Sequence, residues 1–229
     1  MAYDKIGILG AMPLEVAQLY EQMVSSRCEH IGGVDFYIGV LYGKNVVACC
    51  AGMGKVNAAA ATQLLATHFG VKAVLFSGIA GNMSNAIGVG DVVISGSVVY
   101  HDAENRMIAE AYPHLQAFTA DEELCRAAVD TCMENSIRHI VGTVATGDLF
   151  VGDSDTKNAI AEKCHPACVE MEGAAVAHIA AKNDLPFVII RTMSDNADTD
   201  VDTQKQKEFD LNDYYSAAPK ICAGILQKI

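Results

Sequence analysis

The sequence has no tryptophan and only five prolines among its 229 residues. It also lacks Pro/Ser-rich linkers, blocks of like charge, low-complexity tracts and repeats of solenoid length. Hydrophobic residues make up 51% of the chain, enough for a sizeable core. Because nothing in the composition divides the chain, we expect a single domain over residues 1–229.

Basic residues are scarce as well. The 16 lysines and arginines stand against 28 aspartates and glutamates, which gives a formal net charge of −12. Binding to a nucleic-acid backbone needs clustered Lys and Arg, and so does an anionic membrane surface. The charge balance therefore disfavours both, and we expect neither nucleic acid nor membrane as a partner.

Long apolar runs and paired cysteines are also missing. No run approaches the roughly 18 apolar residues of a membrane helix, and the first run, "KIGILG", is too short for a signal peptide. Of the eight cysteines, those in "CHPAC" (164–168) have no second pair at the spacing of a zinc site. Free, mostly buried thiols are typical of a reducing compartment, so we expect a cytoplasmic protein with no metal and no cofactor.

What the sequence does contain is a series of apolar runs that alternate with helical periodicity. Strands are predicted at 5–10, 34–43, 45–52, 73–81, 91–100, 140–148 and 186–194. Helices are predicted at 14–23, 55–68, 121–134, 155–163, 174–182 and 208–227. The second and third strands read as a hairpin, so the sheet is not purely parallel. We therefore expect an α/β three-layer sandwich, with a central mixed, twisted sheet flanked by helices.

In such sheets the ligand crevice lies beyond the carboxyl ends of the strands. Five segments follow strand ends: "GAMPLEV" (10–16), "AGMGK" (51–55), "SGIAGN" (77–82), "TGDLFVGD" (146–153) and "TMSDNAD" (192–198). None is a nucleotide-phosphate motif, because "GMGKVN" lacks a third glycine and Lys55 is followed by Val56. These glycines fit tight turns and close approach to a flat ligand better.

Carboxylates converge on the same edge. Glu15 and Asp195 follow two of the predicted strands, and "VEMEGAAVAHIA" (169–180) puts Glu172 at the end of a further short apolar strand and the start of a helix. Glu170 and Glu172 flank Met171 and would point to opposite sides of an extended segment, so we expect only one of them in a given pocket. The structural alternatives are a favourable interaction of these glutamates with a helix N-terminus and an N-cap at Ser194 or Asp195.

Other candidates are weaker. Phe150, between Gly147 and Gly152, is either a core residue or an aromatic platform for a base. His101 and Asp102 form a local pair in "YHDA", but no nucleophile is tied to them. We expect this pair to be structural or to lie at the rim of the pocket.

The motifs taken together resemble a known family. "IGILGAMPLEV", "AGMGKVNAAAAT", "SGIAG", "GDVVIS", "YHDA", "TGDLFV", "VEMEGAAVAHIA" and "VIIRTMSDNAD" run in order from residue 5 to about 198. They resemble the 5′-methylthioadenosine/S-adenosylhomocysteine nucleosidases of the purine nucleoside phosphorylase superfamily. The resemblance implies a single α/β domain, usually a homodimer, that hydrolyses the bond between adenine and a 5′-thio-substituted ribose.

The resemblance also implies roles for individual residues. Glu15 would activate water, Glu172 would hold the ribose hydroxyls and Asp195 would protonate adenine. Ser194 would support that acid, Phe150 would stack on the base and Val151 would offer backbone groups to its edge. The other substrate-binding residues that we expect are Met12, Met53, Ile79, Ala80, Gly81, Glu170, Met171, Arg191 and Phe209.

The chemistry of the reaction suits this set of residues. Adenine leaves poorly as an anion, so N7 must gain a proton, a general-acid task for a carboxyl in a dry pocket. The sugar becomes oxocarbenium-like, and nearby carboxylates stabilise its positive charge. Hexameric purine nucleoside phosphorylases, on the same fold, carry an arginine at the position of Glu15. An acid there favours water over phosphate as the nucleophile.

Two alternatives stay open: a phosphate-dependent nucleoside phosphorylase and a non-catalytic nucleoside-binding protein. The 5′ substituent is open too, because "ENRMIAEAYPHLQAF" (104–118) lacks the family's aromatic-glycine run. Methylthioadenosine, adenosylhomocysteine, 5′-deoxyadenosine and an aminodeoxyfutalosine-like nucleoside are the candidates, with Met107 or Tyr112 covering the 5′ group.

Overall fold

The computed structural model describes residues 3–198 and 211–229, with the side chains of 211–216 left out. Its centre is one ten-stranded mixed sheet. The strands are β1 (Lys5–Gly10), β2 (Val24–Ile31), β3 (Val34–Leu41), β4 (Lys44–Cys50), β5 (Ala73–Asn82), β6 (Val92–Tyr100), β7 (Phe118–Thr119), β8 (His139–Thr146), β9 (Cys168–Glu170) and β10 (Phe187–Asp195). All seven predicted strands are present, and the mixed α/β class is confirmed.

Both parallel and antiparallel pairs build the sheet. β1 lies between β4 and β5 and pairs with each in parallel. The predicted hairpin is confirmed, since β3 and β4 are antiparallel and join at Tyr42 and Gly43. The strands β5, β9, β8, β6 and β10 also close a circuit, because β10 pairs with β5 as well as with β6. This closure was not expected, and it gathers several strand ends around one point.

The helices lie on the two faces of the sheet. They are α1 (Ala17–Gln22), α2 (Lys55–Thr67), α3 (Asn105–Ile108), α4 (Glu122–Glu134), α5 (Ser154–Cys164), α6 (Gly173–Lys182) and α7 (Leu211–Lys228). Among these helices, which span the described ranges, none is both long and apolar enough to cross a membrane. The first residues of the helix predicted at 208–227 lie outside the described part of the chain.

Strand alternation explains the layers. Ile6 and Ile8 of β1 face a cluster that includes Leu19 of α1 and buried residues of α4 and α7. Leu9 faces the opposite cluster, which α2 and α6 cover, with Leu65 of α2 among its buried residues. The central strands are apolar on both faces because helices cover both sides of the sheet.

The structure differs from the sequence predictions at the first helix and at the edge strand β2. The helix predicted at 14–23 is broken into a 3-10 turn, Pro13–Glu15, and the short α1. Glu15 folds its carboxylate back onto the turn instead of continuing the helix. β2 was not predicted, because its sequence "VSSRCEHI" is polar and largely exposed. Charged, exposed residues are typical of a strand at the edge of a sheet.

The N-terminus of α4 offers a stability test. The Asp121 carboxylate caps this helix by accepting the backbone N–H groups of Glu123 and Leu124, both at 3.0 Å. Asp121→Ala is expected to lower the free energy of unfolding by about 1 kcal/mol, the usual cost of losing an N-cap. Urea denaturation measures this. Asp130→Ala, at an exposed position of the same helix, is the control and should change stability by less than about 0.5 kcal/mol; equal losses in the two variants would contradict the capping role.

Candidate active site

A cavity of about 310 Å³ opens at the carboxyl ends of β1, β5 and β10. That is the size range of small-molecule sites. All five strand-end segments singled out in the sequence contribute to its lining, and so do residues 169–172. The lining residues are Ala11, Met12, Glu15, Met53, Ile79, Ala80, Gly81, Phe150, Val169, Glu170, Met171, Glu172, Ser194 and Asp195. The three candidate catalytic carboxylates therefore meet at one cavity.

Two of the expected residues lie elsewhere. Val151 lines a smaller pocket that adjoins the cavity and shares Phe150 with it. Arg191 is fully buried and does not line the cavity. Phe209 falls outside the described residues. Ala11 and Val169 line the cavity without having been predicted, and their small apolar side chains carry no chemical signal in the sequence.

Glu15 is held by backbone N–H groups from two strand ends. Its Oε2 accepts from the N–H groups of Ala11 at 2.6 Å and Met12 at 2.9 Å, and its Oε1 accepts from Ile79 at 3.0 Å. The side chain is only 2% exposed. Gly10 permits this arrangement, because a Cβ there would lie 2.9 Å from the Glu15 Cβ.

This arrangement explains the presence of a glutamate in the first turn after β1. A helix start after a parallel strand is a ready anion site, because its N–H groups point outward without partners. Here the Glu15 carboxylate accepts those hydrogen bonds. An incoming anion such as phosphate would therefore meet a negative charge instead of free donors.

Glu170 and Glu172 share the cavity, so the expectation that only one would enter it is wrong. β9 ends at Glu170, and the chain then turns into α6, so the strict alternation of an extended strand stops there. Glu172 Oε1 accepts the Gly54 N–H at 2.8 Å. Glu170 takes the helix-terminal role, accepting the N–H groups of Glu172 at 3.2 Å and Gly173 at 2.7 Å.

A buried arginine binds both glutamates. Arg191 Nη2 donates to Glu170 and lies 3.4 Å from Glu172 Oε2. Thr146 donates its hydroxyl to the same Glu170 carboxylate. Gly78 makes room for the guanidinium, because a Cβ at this position would overlap Arg191 and approach Glu15 Oε1 to 2.7 Å. Any side chain at position 78 would displace Arg191.

This charge cluster shifts the titration of its members. Burial alone would lower the pKa of Arg191, but Glu170 and Glu172 outweigh it and raise that pKa. Burial, together with the neighbouring Glu170 carboxylate, raises the pKa of Glu172 to about 7, although Arg191 and the Gly54 N–H act in the opposite direction. Near neutral pH the Glu172 carboxyl can therefore donate or accept a hydrogen bond.

Asp195 ends β10 beside Gly81, and the strand register shifts between Met193 and Asp195. Such bulges re-aim side chains next to active sites. Asp195 Oδ1 accepts the Ala197 N–H, and Oδ2 lies 2.7 Å from Ser194 Oγ. Neither Ser194 nor Asp195 is a helix cap here, because both belong to the strand.

Lys55, Asp102 and Asp148 form a charged cluster at the rim of the cavity that was not predicted. Lys55 Nζ lies within 2.9 Å of both Asp102 oxygens and 3.3 Å from Asp148. Asp102 also accepts the Asp148 N–H. Burial opposes the charge on Lys55, but its hydrogen bonds to Asp102 and Asp148 raise its pKa. This cluster ties the loop of Phe150 to the start of α2, next to Gly54.

Phe150 and His101 have opposite surroundings. The Phe150 side chain lines the mouth of the cavity and is 80% exposed, so it is not a core residue. His101 is buried against Gly147, where a Cβ would overlap its ring. Burial lowers the pKa of His101, against the attraction of Asp102. His101 is thus a neutral packing residue behind the loop, in line with its expected structural role.

Comparisons with known proteins agree with the geometry. The family model described as "Phosphorylase superfamily" matches residues 5–227. A 5′-methylthioadenosine/S-adenosylhomocysteine nucleosidase of Shewanella sediminis is 39% identical over 202 residues, covering 86% of this chain and 88% of the relative. The crystal structure of the nucleosidase of that name from Neisseria meningitidis, in complex with methylthio-immucillin-A, has a TM-score of 0.90 at 31% identity, covering 99% of this chain and 100% of that one. Futalosine hydrolase of Helicobacter pylori has a TM-score of 0.89 at 28% identity, covering 99% and 98%.

The raised pKa of Glu172 predicts how stability varies with pH. A carboxyl whose pKa rises from 4.5 to about 7 on folding contributes stability below pH 4.5 and loses it as the pH rises through 7. Glu172→Gln does not titrate. Its free energy of unfolding relative to the wild type should therefore increase by roughly 1–3 kcal/mol between pH 5 and pH 8. Urea denaturation at both pH values measures it, and a difference independent of pH would contradict the shift.

Proposed function

Because the chain belongs to the phosphorylase superfamily, as a member of its 5′-methylthioadenosine/S-adenosylhomocysteine nucleosidases, we propose that it hydrolyses the N-ribosidic bond of those two nucleosides. The products are adenine and the 5-substituted ribose. The observation that carries the proposal is the Glu15 carboxylate, which accepts the three backbone N–H groups at the end of the cavity where a phosphorylase would need to bind phosphate.

In this proposal Asp195 protonates the leaving group. Adenine departs easily only when N7 gains a proton as the bond breaks. The Asp195 carboxyl lines the cavity and is oriented by the Ala197 N–H. The Ser194 hydroxyl lies within hydrogen-bond distance of both Asp195 and the Ala80 carbonyl, and with one proton it donates to one of them at a time. It can therefore serve either protonation state of the acid.

The sugar would be bound and stabilised by the glutamates. Glu172, which exchanges its proton near neutral pH, suits the ribose hydroxyls because they both donate and accept hydrogen bonds. Three carboxylates face one guanidinium in this part of the site. That excess of negative charge stabilises an oxocarbenium-like sugar, and the three carboxylate side chains that supply it are almost fully buried.

Water completes the reaction. Glu15 would orient the attacking water and take its proton, because its carboxylate lines the cavity and is fixed by backbone donors. A phosphate ion in place of this water would be repelled by the same carboxylate. We therefore prefer hydrolysis to phosphorolysis, and a catalytic site to a binding protein, since the acid and the candidate base both line one cavity.

The base and the 5′ substituent would occupy the two remaining parts of the cavity. Phe150 stands at the mouth as a stacking platform, with Val151 beside it in the adjoining pocket. Met12 and Met53 offer apolar surface, which suits a thioether better than a charged group. A futalosine-type nucleoside is the second candidate, because futalosine hydrolase of Helicobacter pylori shares the fold closely.

We also propose a homodimer, as the resemblance implies. Met53 and Val56 at the start of α2 are 64% and 80% exposed, and Leu149 and Phe150 after β8 are 62% and 80% exposed. Exposed apolar groups close to a site are typical of interaction surfaces. A second copy would cover them. The eight free thiols suit the reducing cytoplasm, where we place this step of methionine salvage.

The function is tested first by adenine release. The wild type should release adenine from methylthioadenosine and adenosylhomocysteine. Chromatography of the free base measures this release. Asp195→Asn removes the proton donor, so kcat should fall by ~10²-fold or more with little change in KM. Near-normal turnover of this variant would overturn the assignment of the acid, and a wild type that binds without releasing adenine would be a binding protein.

A second test removes the carboxylate that occupies the anion site. In Glu15→Ala the rate of adenine release should fall by ~10²-fold or more, because the carboxylate that takes the proton of the attacking water is missing. It should also leave the N–H groups of Ala11, Met12 and Ile79 without an acceptor. Phosphate should then raise the Tm of the variant and not that of the wild type. Equal Tm responses in both proteins would mean that Glu15 does not occupy an anion site.

A further inference from the structure

The residue two positions after Asp195 has an unusual backbone. Ala197 has φ of 54°, in the left-handed region that residues with a side chain rarely adopt. Its N–H donates to Asp195 Oδ1 at 2.7 Å. The strained conformation is therefore what directs this N–H at the proposed acid. Strain of this kind persists only where the surroundings impose it.

Lys157 binds the residues on both sides of the strained residue, one through its backbone carbonyl and the other through its side-chain carboxylate. Its Nζ donates to the carbonyl of Asn196 at 2.5 Å and to Asp198 Oδ2 at 2.9 Å. The lysine and aspartate side chains are 24% and 22% exposed, so the ion pair is partly shielded from solvent. One ammonium group thus fixes the residues immediately before and after Ala197.

Packing holds Ala197 from the other side. Its side chain is fully buried with Val151 and Ile160, in a cluster that includes both α5 and the loop before it. Gly81 leaves the space, because a Cβ there would lie 2.9 Å from the Ala197 Cβ. Lys157 stands in the first turn of the same helix, α5. The helix that follows Phe150 and Val151 is therefore linked to the loop that carries the acid.

We propose that Lys157 is a positioning residue for the reaction, which keeps Ala197 in its left-handed conformation and so keeps Asp195 aimed at N7 of the purine. The proposal rests on the proposed function, because it needs a proton to be delivered to the leaving base. Lys157 does not line the cavity. Its effect is exerted on proton delivery and not on nucleoside binding.

The test separates proton delivery from binding. In Lys157→Met, kcat for methylthioadenosine should fall by roughly 10-fold, a fraction of the effect of losing a general acid. Affinity for the 7-deaza analogue of methylthioadenosine, which has no N7 to accept a proton, should stay within about twofold of the wild type. Lys157→Arg, which keeps the cation, should recover most of the rate.

Lys163→Met is the matched control. Lys163 lies on the same helix and also donates to backbone carbonyls, those of His101 and Ala103, away from the acid. Its kcat should stay within about twofold of the wild type. If Lys157→Met does not fold, Asp198→Asn weakens the same ion pair and should lower kcat in the same direction.

A second substitution tests the link to backbone strain. Glycine adopts a left-handed conformation without penalty, so Ala197→Gly should make Lys157 less necessary. The loss of kcat caused by Lys157→Met should shrink to about twofold or less in the Ala197→Gly background. An unchanged loss would overturn the proposal, as would an equal fall of kcat and of 7-deaza affinity in Lys157→Met. A wild type that releases no adenine at all would instead overturn the proposed function.

Discussion

Three backbone N–H groups donate hydrogen bonds to the Glu15 carboxylate, and the rest of the site depends on that contact. It joins the end of β1 to the end of β5, so one side chain fixes the spacing of two strand ends. It breaks the helix that the sequence pattern would otherwise start at residue 14. In the proposed reaction, the negative charge that results favours water over phosphate as the nucleophile.

Around this contact the site is organised by charge. Arg191 lies behind the cavity and offsets Glu170 and Glu172, while Gly78 leaves the guanidinium its space. A buried arginine with two carboxylates costs desolvation free energy that neutral residues would not. The arrangement instead fixes two acidic side chains next to each other and leaves an excess of negative charge where the proposed reaction places the sugar. The charge cluster therefore serves the proposed chemistry and not the stability of the fold.

Much of the fold and the composition of the cavity follow from the sequence. Strands apolar on both faces, such as "KIGILG", specify a covered sheet, and residues after their carboxyl ends must meet at one edge. Glu15, Glu172 and Asp195 could be brought together by that rule alone. β2 could not be predicted, because an exposed edge strand has no apolar alternation to reveal it.

Contacts that depend on the exact turn of the chain stay hidden in the sequence. Glu170 and Glu172 line the same cavity only because β9 ends at Glu170. In a longer strand, alternation would point the two side chains to different sides. Lys55 meets Asp102 and Asp148 across 47 and 93 positions of sequence, and no local pattern announces such a pair. The left-handed backbone at Ala197 could not be predicted either, because an alanine in the sequence does not indicate a positive φ.

We propose that water, and not phosphate, attacks the sugar. The most direct measurement is turnover of methylthioadenosine in oxygen-18-enriched water with inorganic phosphate present, followed by mass spectrometry of the sugar product. Hydrolysis should place one oxygen-18 atom in the 5-methylthioribose and form no sugar phosphate. A ribose 1-phosphate derivative with no oxygen from water would contradict it and would assign the Glu15 carboxylate a different role.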